Sequence, residues 1–201
     1  MTTLSARTLD VDTPSGPARV TMTKRGSKGL YVVGHGAGGG IDAADLLAVS
    51  QALADEGWTV ARVEQPYRVK GRRAPEPAPK LDVAWLSVLA ALKRERRGKL
   101  VVSGRSSGAR VAVRTAAEAG ADGVVALAFP LHPPGRPEKS RSAELAGLTV
   151  PLLVIQGARD TFGTRSEFPR RIPIVEVAGD HSLKQDTAAV SDAVLSWLRT
   201  L

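Results

Sequence analysis

Residues 99–114 are Lys99-Leu-Val-Val-Ser-Gly-Arg-Ser-Ser-Gly-Ala-Arg-Val-Ala-Val-Arg114: an apolar run, a Gly-x-Ser-x-Gly turn and an Ala-rich stretch. This pattern predicts a strand, a sharp turn with Ser106 at its apex, and a helix. Gly104 and Gly108 flank Ser106 because a strand that enters a helix so sharply leaves no room for side chains there. The arrangement is that of a nucleophile elbow. The alternative is an ordinary strand-to-helix loop made of small residues.

On both sides of this segment, short apolar runs alternate with helical patterns. We predict a half-exposed hairpin or meander pair at residues 8–12 and 18–23, and buried strands at 29–33, 59–63, 123–129, 151–155 and 172–177. Helices are predicted at residues 42–56, 81–97 and 185–201, and long irregular segments at 64–80 and 130–149. Continuous apolar strands between helices indicate an α/β fold with three layers. Its mainly parallel sheet should have about eight strands, with the antiparallel N-terminal pair at one edge.

The composition is that of an ordinary globular protein. The chain has 201 residues, 43% of them hydrophobic and 24% charged, and we expect one domain over residues 1–201. No apolar run is long enough to cross a bilayer, and residues 1–14 lack the apolar stretch of a signal peptide. These features favour a cytoplasmic protein with no membrane partner. Because the chain has no cysteine, any chemistry falls to serine, histidine and carboxylates.

The positive charge does not by itself indicate a nucleic-acid partner. The formal net charge is +8, but the basic residues fall into three separate groups at 68–73, 93–99 and 165–171. Only 4% of the residues are aromatic, which argues against a stacking surface for single strands. We therefore expect no nucleic acid as a main partner.

Four predicted loops after strands carry groups suited to catalysis. The glycine-rich loop, residues 34–40, offers backbone N–H groups, and Ser106 follows the elbow strand. Asp160 and His181 follow the last two predicted strands. The carboxyl ends of parallel strands meet at one edge of a sheet, so these groups should converge. Asp160 is a better partner for His181 than Asp180, because a side chain next in sequence points elsewhere in most turns.

The order Ser, Asp, His, each in its own strand-end loop, resembles the α/β-hydrolase superfamily. More narrowly, residues 28–201 resemble its dienelactone-hydrolase-like branch. The motifs that carry the resemblance are Gly34-His-Gly-Ala-Gly38, Ser103-Gly-Arg-Ser-Ser-Gly-Ala-Arg110, Phe129-Pro-Leu-His-Pro-Pro-Gly135, Gln156-Gly-Ala-Arg-Asp160 and Gly179-Asp-His181.

The resemblance implies acyl transfer by a serine hydrolase of the esterase type. His181 would take the proton of Ser106, and Asp160 would orient the imidazole. The backbone N–H groups of Ala37 and Ser107 would form the oxyanion hole. A chain of this length leaves little room for a lid domain, so the site should be open. No cofactor and no metal is expected.

Further residues are predicted to border the substrate. These are His35, Gly36, Gly38, Arg105 and His132, of which His35 also suits a role as a brace of the glycine-rich loop. We expect a small-molecule ester or thioester as the substrate. The sequence indicates no particular oligomeric state.

A basic stretch within the predicted loop 64–80 contains Arg68, Lys70, Arg72 and Arg73. Because this loop starts at a carboxyl strand end, these side chains would surround the mouth of the site. One hypothesis is that they favour anionic substrates by raising their local concentration. The alternative is a basic loop that is simply solvated.

Two other functions fit parts of the sequence. Gly34-His-Gly-Ala-Gly-Gly39 also satisfies the Gly-x-Gly-x-x-Gly fingerprint of a dinucleotide site, and Glu64 lies near the end of the next strand. That hypothesis leaves the elbow, Asp160 and His181 without a role. A catalytically inactive hydrolase-fold scaffold or binding protein is the other alternative.

Overall fold

The computed structural model describes residues 6–23 and 25–201, which form a mixed sheet between two layers of helices. In this part of the chain the strands are β1 (Arg7–Val11), β2 (Ala18–Met22), β3 (Gly29–Gly34), β4 (Thr59–Glu64), β5 (Lys99–Arg105), β6 (Gly123–Leu127), β7 (Leu152–Gly157) and β8 (Ile174–Val177). Their spatial order is β1-β2-β4-β3-β5-β6-β7-β8. β2 is antiparallel to both β1 and β4, and the remaining pairs are parallel. The predicted sheet with its antiparallel N-terminal pair is confirmed.

Helices cover both faces of the sheet. They are α1 (Ala44–Asp55), α2 (Pro66–Val69), α3 (Ala78–Ala91), α4 (Ser107–Thr115), α5 (Ser142–Ala146) and α6 (Thr187–Leu198), with short 3-10 turns at Leu92–Glu95, Pro137–Lys139 and Arg165–Glu167. α3 and α4 pack in the core on one face, and α1 and α6 pack in the core on the other. Strands β3, β6 and β7 are buried along their whole length, as expected for parallel strands covered on both sides.

The two segments predicted to be irregular each contain a short helix, so that part of the prediction is wrong. α2 lies within residues 64–80, and α5 lies within residues 130–149. The prediction is wrong because it treats prolines as signs of irregular structure. Pro66 is the first residue of α2, and Pro79 lies in the first turn of α3. Proline suits a first turn because the N–H that it lacks would have no acceptor inside the helix.

The strand order brings the predicted site residues to one edge of the sheet. β3 and β5 are neighbours, with Gly34 opposite Gly104 in the register, so the glycine-rich loop starts beside the elbow. β7 and β8 follow beyond β6, and their loops lead to Asp160 and His181. The carboxyl ends of four parallel strands thus surround one crevice.

Some expectations concern residues that the structure does not describe. Residues 1–5 and Lys24 lie outside the described ranges, and the predicted domain over residues 1–201 and the expected lack of a signal peptide in residues 1–14 fall partly on them. Within residues 6–23 and 25–201, no helix is both long enough and apolar enough to cross a membrane.

Candidate active site

The elbow is a sharp turn between β5 and α4 with Ser106 at its apex. Ser106 has φ 54° and ψ −114°, in the left-handed region that a non-glycine residue rarely adopts. A Cβ atom added to Gly104 would lie 2.2 Å from the carbonyl carbon of Gly108, and one added to Gly108 would lie 2.7 Å from the His35 oxygen. Both positions therefore require glycine. The strained serine backbone is held by this close packing and by the Ser106 N–H bond to the Leu127 oxygen, 2.9 Å.

Three side chains form a continuous hydrogen-bonded chain in the crevice. The Ser106 hydroxyl donates to Nε2 of His181 over 2.8 Å, and Nδ1–H of His181 donates to Oδ2 of Asp160 over 2.8 Å. The Asp160 side chain is fully buried, whereas the His181 side chain is 19% exposed. A carboxylate can only accept, so it fixes the proton on Nδ1 and leaves Nε2 free to accept from the serine. The sequence predicted all three residues, and the structure brings them together.

Asp160 is held by groups that the sequence analysis missed. Its Oδ2 also accepts from Nε2 of Gln156 over 2.8 Å, and its Oδ1 accepts from the Phe162 backbone N–H over 2.8 Å. The Gln156 amide also donates to the Gly163 oxygen over 2.8 Å. The signal that could have found Gln156 is a glutamine inside the otherwise apolar strand β7, because a buried amide needs partners.

Phe162 is a second residue that the sequence analysis missed. Its ring stacks on the His181 ring, with centroids 4.1 Å apart and planes inclined by 25°. Asp180, the rejected alternative to Asp160, accepts from the backbone and hydroxyl of Ser182 instead, and those bonds lower its pKa. The imidazole is therefore fixed by Asp160 in its plane and by Phe162 on one face.

The glycine-rich loop lies directly against the elbow. A Cβ atom added to Gly36 would lie 3.4 Å from Cβ of Ser106, while one added to Gly38, an exposed residue, would meet nothing within 4 Å. Among the described residues, the backbone N–H groups of Ala37 and Ser107 have no hydrogen-bond partner. Two unpaired donors beside the serine are what an oxyanion hole requires.

His35 braces this loop from inside. Its ring is buried, Nε2 accepts from the Gln65 N–H over 3.1 Å, and Nδ1–H donates to the Gly36 oxygen over 2.8 Å. Burial lowers the pKa of His35, which agrees with a neutral ring that accepts at Nε2. Both nitrogens are engaged by the backbone, so the His35 side chain is not placed for the predicted contact with a substrate.

A second brace comes from α2, which lies in the segment predicted to be irregular. The Tyr67 hydroxyl donates to the Ala37 oxygen over 3.0 Å, and the Tyr67 ring meets the His35 ring edge-on at 5.7 Å. Burial raises the pKa of Tyr67 to about 12, so the hydroxyl remains a donor at neutral pH.

His132 is not part of the hydrogen-bonded chain. Its Nε2 lies 2.9 Å from Oε2 of Glu167, and its Nδ1 lies 2.9 Å from the Pro133 oxygen. Its backbone N–H donates to the Phe162 oxygen over 3.0 Å. The predicted substrate contact is therefore replaced by a link between the loop after β6 and the loop that carries Asp160.

The dinucleotide fingerprint fits the structure poorly. In that motif the third glycine leads directly into a helix whose N-terminus receives the pyrophosphate. Here α1 begins at Ala44, and Gly39 lies in a turn in which its N–H donates to the Gly36 oxygen over 3.2 Å. Among the described residues, no three His, Asp or Glu side chains are grouped to hold a metal ion.

Comparison with known proteins identifies the family. A family model described as an alpha/beta hydrolase domain matches residues 27–194, so the chain belongs to this family. The predicted superfamily and the predicted class, a hydrolase-family protein, are confirmed. The narrower dienelactone-hydrolase-like branch stays a prediction.

Several solved structures share the fold. XC6422 from Xanthomonas campestris, described as an a/b serine hydrolase without lid, has a TM-score of 0.77 and 19% identity, with 100% of this chain and 96% of that chain covered. Esterase Pf2001 from Pyrococcus furiosus has a TM-score of 0.79 and 15% identity, with 98% of this chain and 91% of that chain covered. Est1E from Butyrivibrio proteoclasticus, with ferulic acid bound, has a TM-score of 0.78 and 14% identity, with 96% of this chain and 98% of that chain covered. At these identities the likeness concerns the fold.

Proposed function

We propose that the chain is a serine hydrolase that cleaves a carboxylic ester or thioester through an acyl-enzyme on Ser106. The hydrogen-bonded chain from Ser106 through His181 to Asp160 is the observation that carries this proposal. Such a chain activates a hydroxyl that is otherwise a weak nucleophile at neutral pH. The solved structures of the same fold that are named as esterases support an ester substrate.

In the first half of the reaction, Nε2 of His181 takes the proton of Ser106 as its oxygen attacks the substrate carbonyl carbon. The imidazolium that forms donates through Nδ1 to the buried Asp160 carboxylate, which stabilises it. The negative charge on the carbonyl oxygen is received by the N–H groups of Ala37 and Ser107. Collapse of this intermediate breaks the ester bond, and His181 returns the proton to the leaving alcohol or thiol.

The second half repeats the same steps with water. His181 takes a proton from water, the hydroxide oxygen attacks the acyl carbon, and the bond to the Ser106 oxygen breaks as the serine is reprotonated. The product acid then leaves the site. The open end of the crevice, where part of the His181 side chain is exposed, supports direct access of water.

Labelling with a fluorophosphonate tests this proposal. We expect the wild-type protein to become labelled and Ser106→Ala to remain unlabelled. Ser182→Ala is the matched control, since it removes a hydroxyl next to His181 that bonds only to Asp180. It should be labelled like the wild type.

The outcomes separate the alternatives. Label that persists in Ser106→Ala moves the nucleophile to another residue. No label in the wild-type protein, with no hydrolysis of 4-nitrophenyl acetate, favours the inactive scaffold. A rise in melting temperature with NAD would instead support the dinucleotide hypothesis.

A further inference from the structure

Two half-buried arginines beside the candidate active site form no ion pair within the described part of the chain. Arg105 is the last residue of β5, and Arg68 lies in α2. The Nε atom of each is buried and has no hydrogen-bond partner among the described residues. Three other half-buried arginines are paired with acids: Arg62 with Asp42, Arg110 with Glu144, and Arg114 with Asp82. Arg141 is half-buried without an ion pair in the described part of the chain, but its Nη1 donates to the Pro130 oxygen over 2.7 Å.

Both arginines lie next to the glycine-rich loop. The Nε atom of Arg105 lies 3.6 Å from the position of a Cβ atom on Gly36, a position that is itself 3.4 Å from Cβ of Ser106. Arg68 adjoins Tyr67, whose hydroxyl bonds to the Ala37 oxygen, and its Nη1 donates to the Arg72 oxygen over 3.4 Å. Arg105 is thus placed beside the loop that faces the nucleophile, and Arg68 follows in α2 the tyrosine that braces this loop.

The electrostatics around this loop agree with that placement. The charges of Arg68 and Arg105 both oppose protonation of His35, adding to the effect of burial on its pKa. Asp45 is an acid whose pKa the charge of Arg105 influences, and the two side chains form no hydrogen bond with each other among the described residues. Burial raises the pKa of Asp45 and the charge of Arg105 opposes that rise. Asp45 therefore leaves the Nε–H donor of Arg105 unpaired.

We propose that Arg105 and Arg68 bind an anionic group of the substrate, a carboxylate or a phosphate, beside the glycine-rich loop. A guanidinium presents planar, parallel N–H donors that match such an anion, and a substrate would supply the missing partner. The proposal rests on the proposed hydrolase function. One hypothesis from the sequence is that residues 68–73 attract anionic substrates by their overall charge. The present proposal is narrower, because it assigns recognition of the anion to two defined side chains.

Hydrolysis of matched esters tests the anion subsite. Monophenyl succinate is compared with phenyl butyrate for an anion on the acyl side, and 4-carboxyphenyl acetate with phenyl acetate for one on the leaving group. The measured quantity is kcat/KM for the anionic ester divided by kcat/KM for its neutral counterpart. In at least one pair, Arg105→Gln should lower this ratio by about 10- to 100-fold, because the variant loses one charged hydrogen bond to the substrate. Arg68→Gln should lower the same ratio.

Arg73→Gln is the matched control, because it removes an exposed arginine from the same segment. The ratio should stay within about twofold of the wild type for this variant, the change expected for a screened surface charge. A change in Arg73→Gln equal to that in Arg105→Gln would overturn the proposal in favour of general attraction. Competition of inorganic phosphate and of succinate against phenyl acetate hydrolysis separates a phosphate from a carboxylate.

Failure of this proposal and failure of the proposed function look different. Unchanged ratios in both Arg105→Gln and Arg68→Gln, with Ser106 still labelled by fluorophosphonate, would overturn the anion subsite alone. If Arg105→Gln does not fold, Arg68→Gln and the charge-conserving Arg105→Lys carry the test, and the ratio should be lower in Arg68→Gln than in Arg105→Lys. An unlabelled wild-type protein would remove the underlying hydrolase function as well.

Discussion

The loops after β3 and β8 each carry a histidine with both ring nitrogens hydrogen-bonded, yet the partners differ in kind. His35 is bonded to the backbone of Gly36 and Gln65 and is 2% exposed. His181 is bonded to the side chains of Ser106 and Asp160, and part of its ring reaches the crevice. Backbone partners hold a ring in place, whereas an acid on one side and a hydroxyl on the other allow a proton to move through it. The difference teaches that a histidine's partners, rather than its position at a strand end, indicate its role.

The largest expected effect on activity comes from changing Asp160, the acid that contacts His181 and has no counterpart at His35. Asp160→Asn should lower kcat for phenyl acetate by about 10⁴-fold with little change in fold. The two oxygens of Asp160 face three N–H donors, so an amide must turn its NH₂ group toward at least one of them. If the NH₂ group takes the place of Oδ2, Nδ1 of His181 loses the acceptor that fixes its tautomer. If it takes the place of Oδ1, it faces the Phe162 N–H, and the neutral amide no longer stabilises the charge of the imidazolium.

Asp180→Asn is the matched control for that measurement, since Asp180 is adjacent to His181 and bonds only within its own turn. Its kcat should stay within about threefold of the wild type. Equal losses in the two variants would show that the His181 ring is not oriented through Asp160.

A smaller effect on kcat is expected on the other side of the comparison. His35→Ala should lower the free energy of unfolding by about 2 to 4 kcal/mol, because it leaves the Gln65 N–H unpaired and creates a cavity. It should lower kcat by up to about 100-fold, through displacement of the loop that carries Ala37. Urea unfolding and steady-state kinetics on the folded protein measure the two quantities.

Tyr67→Phe serves as a milder variant on the same loop. It removes one hydrogen bond to the Ala37 oxygen and should lower the free energy of unfolding by about 0.5 to 1.5 kcal/mol. A loss of kcat in His35→Ala as large as that in Asp160→Asn, without any loss of stability, would contradict the role of His35 as a brace.

The smallest expected effect concerns His132, the third histidine, and is a dependence of protein stability on pH. The bonds of His132 to Pro133 and Glu167 raise its pKa above the usual 6.5, so its contribution to stability is full below pH 6.5 and is lost as the pH rises through the raised value. The Thr164 N–H and His132 lower the pKa of Glu167 below the usual 4.5, so its contribution is full above pH 4.5 and is lost as the pH falls through the lowered value.

Both contributions are therefore present between about pH 4.5 and 6.5. Glu167→Gln should lower the melting temperature by about 2 to 4 °C in that interval and by less near pH 9. Glu138→Gln, an exposed glutamate in the neighbouring loop, should have no such dependence. If the difference in melting temperature between the wild type and Glu167→Gln is as large at pH 9 as at pH 6, a charged pair between His132 and Glu167 would be contradicted.

Sequence patterns were sufficient for the sheet because its central strands are continuous apolar runs and its helices have clear periodicity. They also named Ser106, Asp160 and His181, since each follows a strand at the same edge. Gln156 was missed although a glutamine inside an apolar strand is a signal of a buried polar contact. Phe162 was missed because its role depends on which ring it faces after folding. The short helices α2 and α5 were missed because prolines and charged residues outweighed a helical signal only a turn or so long.

The wide spacing of the reacting groups has a consequence for a growing polypeptide. His181 lies 75 residues after Ser106 in the chain, and Asp160 lies 21 residues before His181. A ribosome that has just completed the elbow has therefore not yet made the acid or the base. Under the proposed mechanism, the serine stays unactivated during most of translation, and hydrolysis becomes possible only when the last two strands join the sheet.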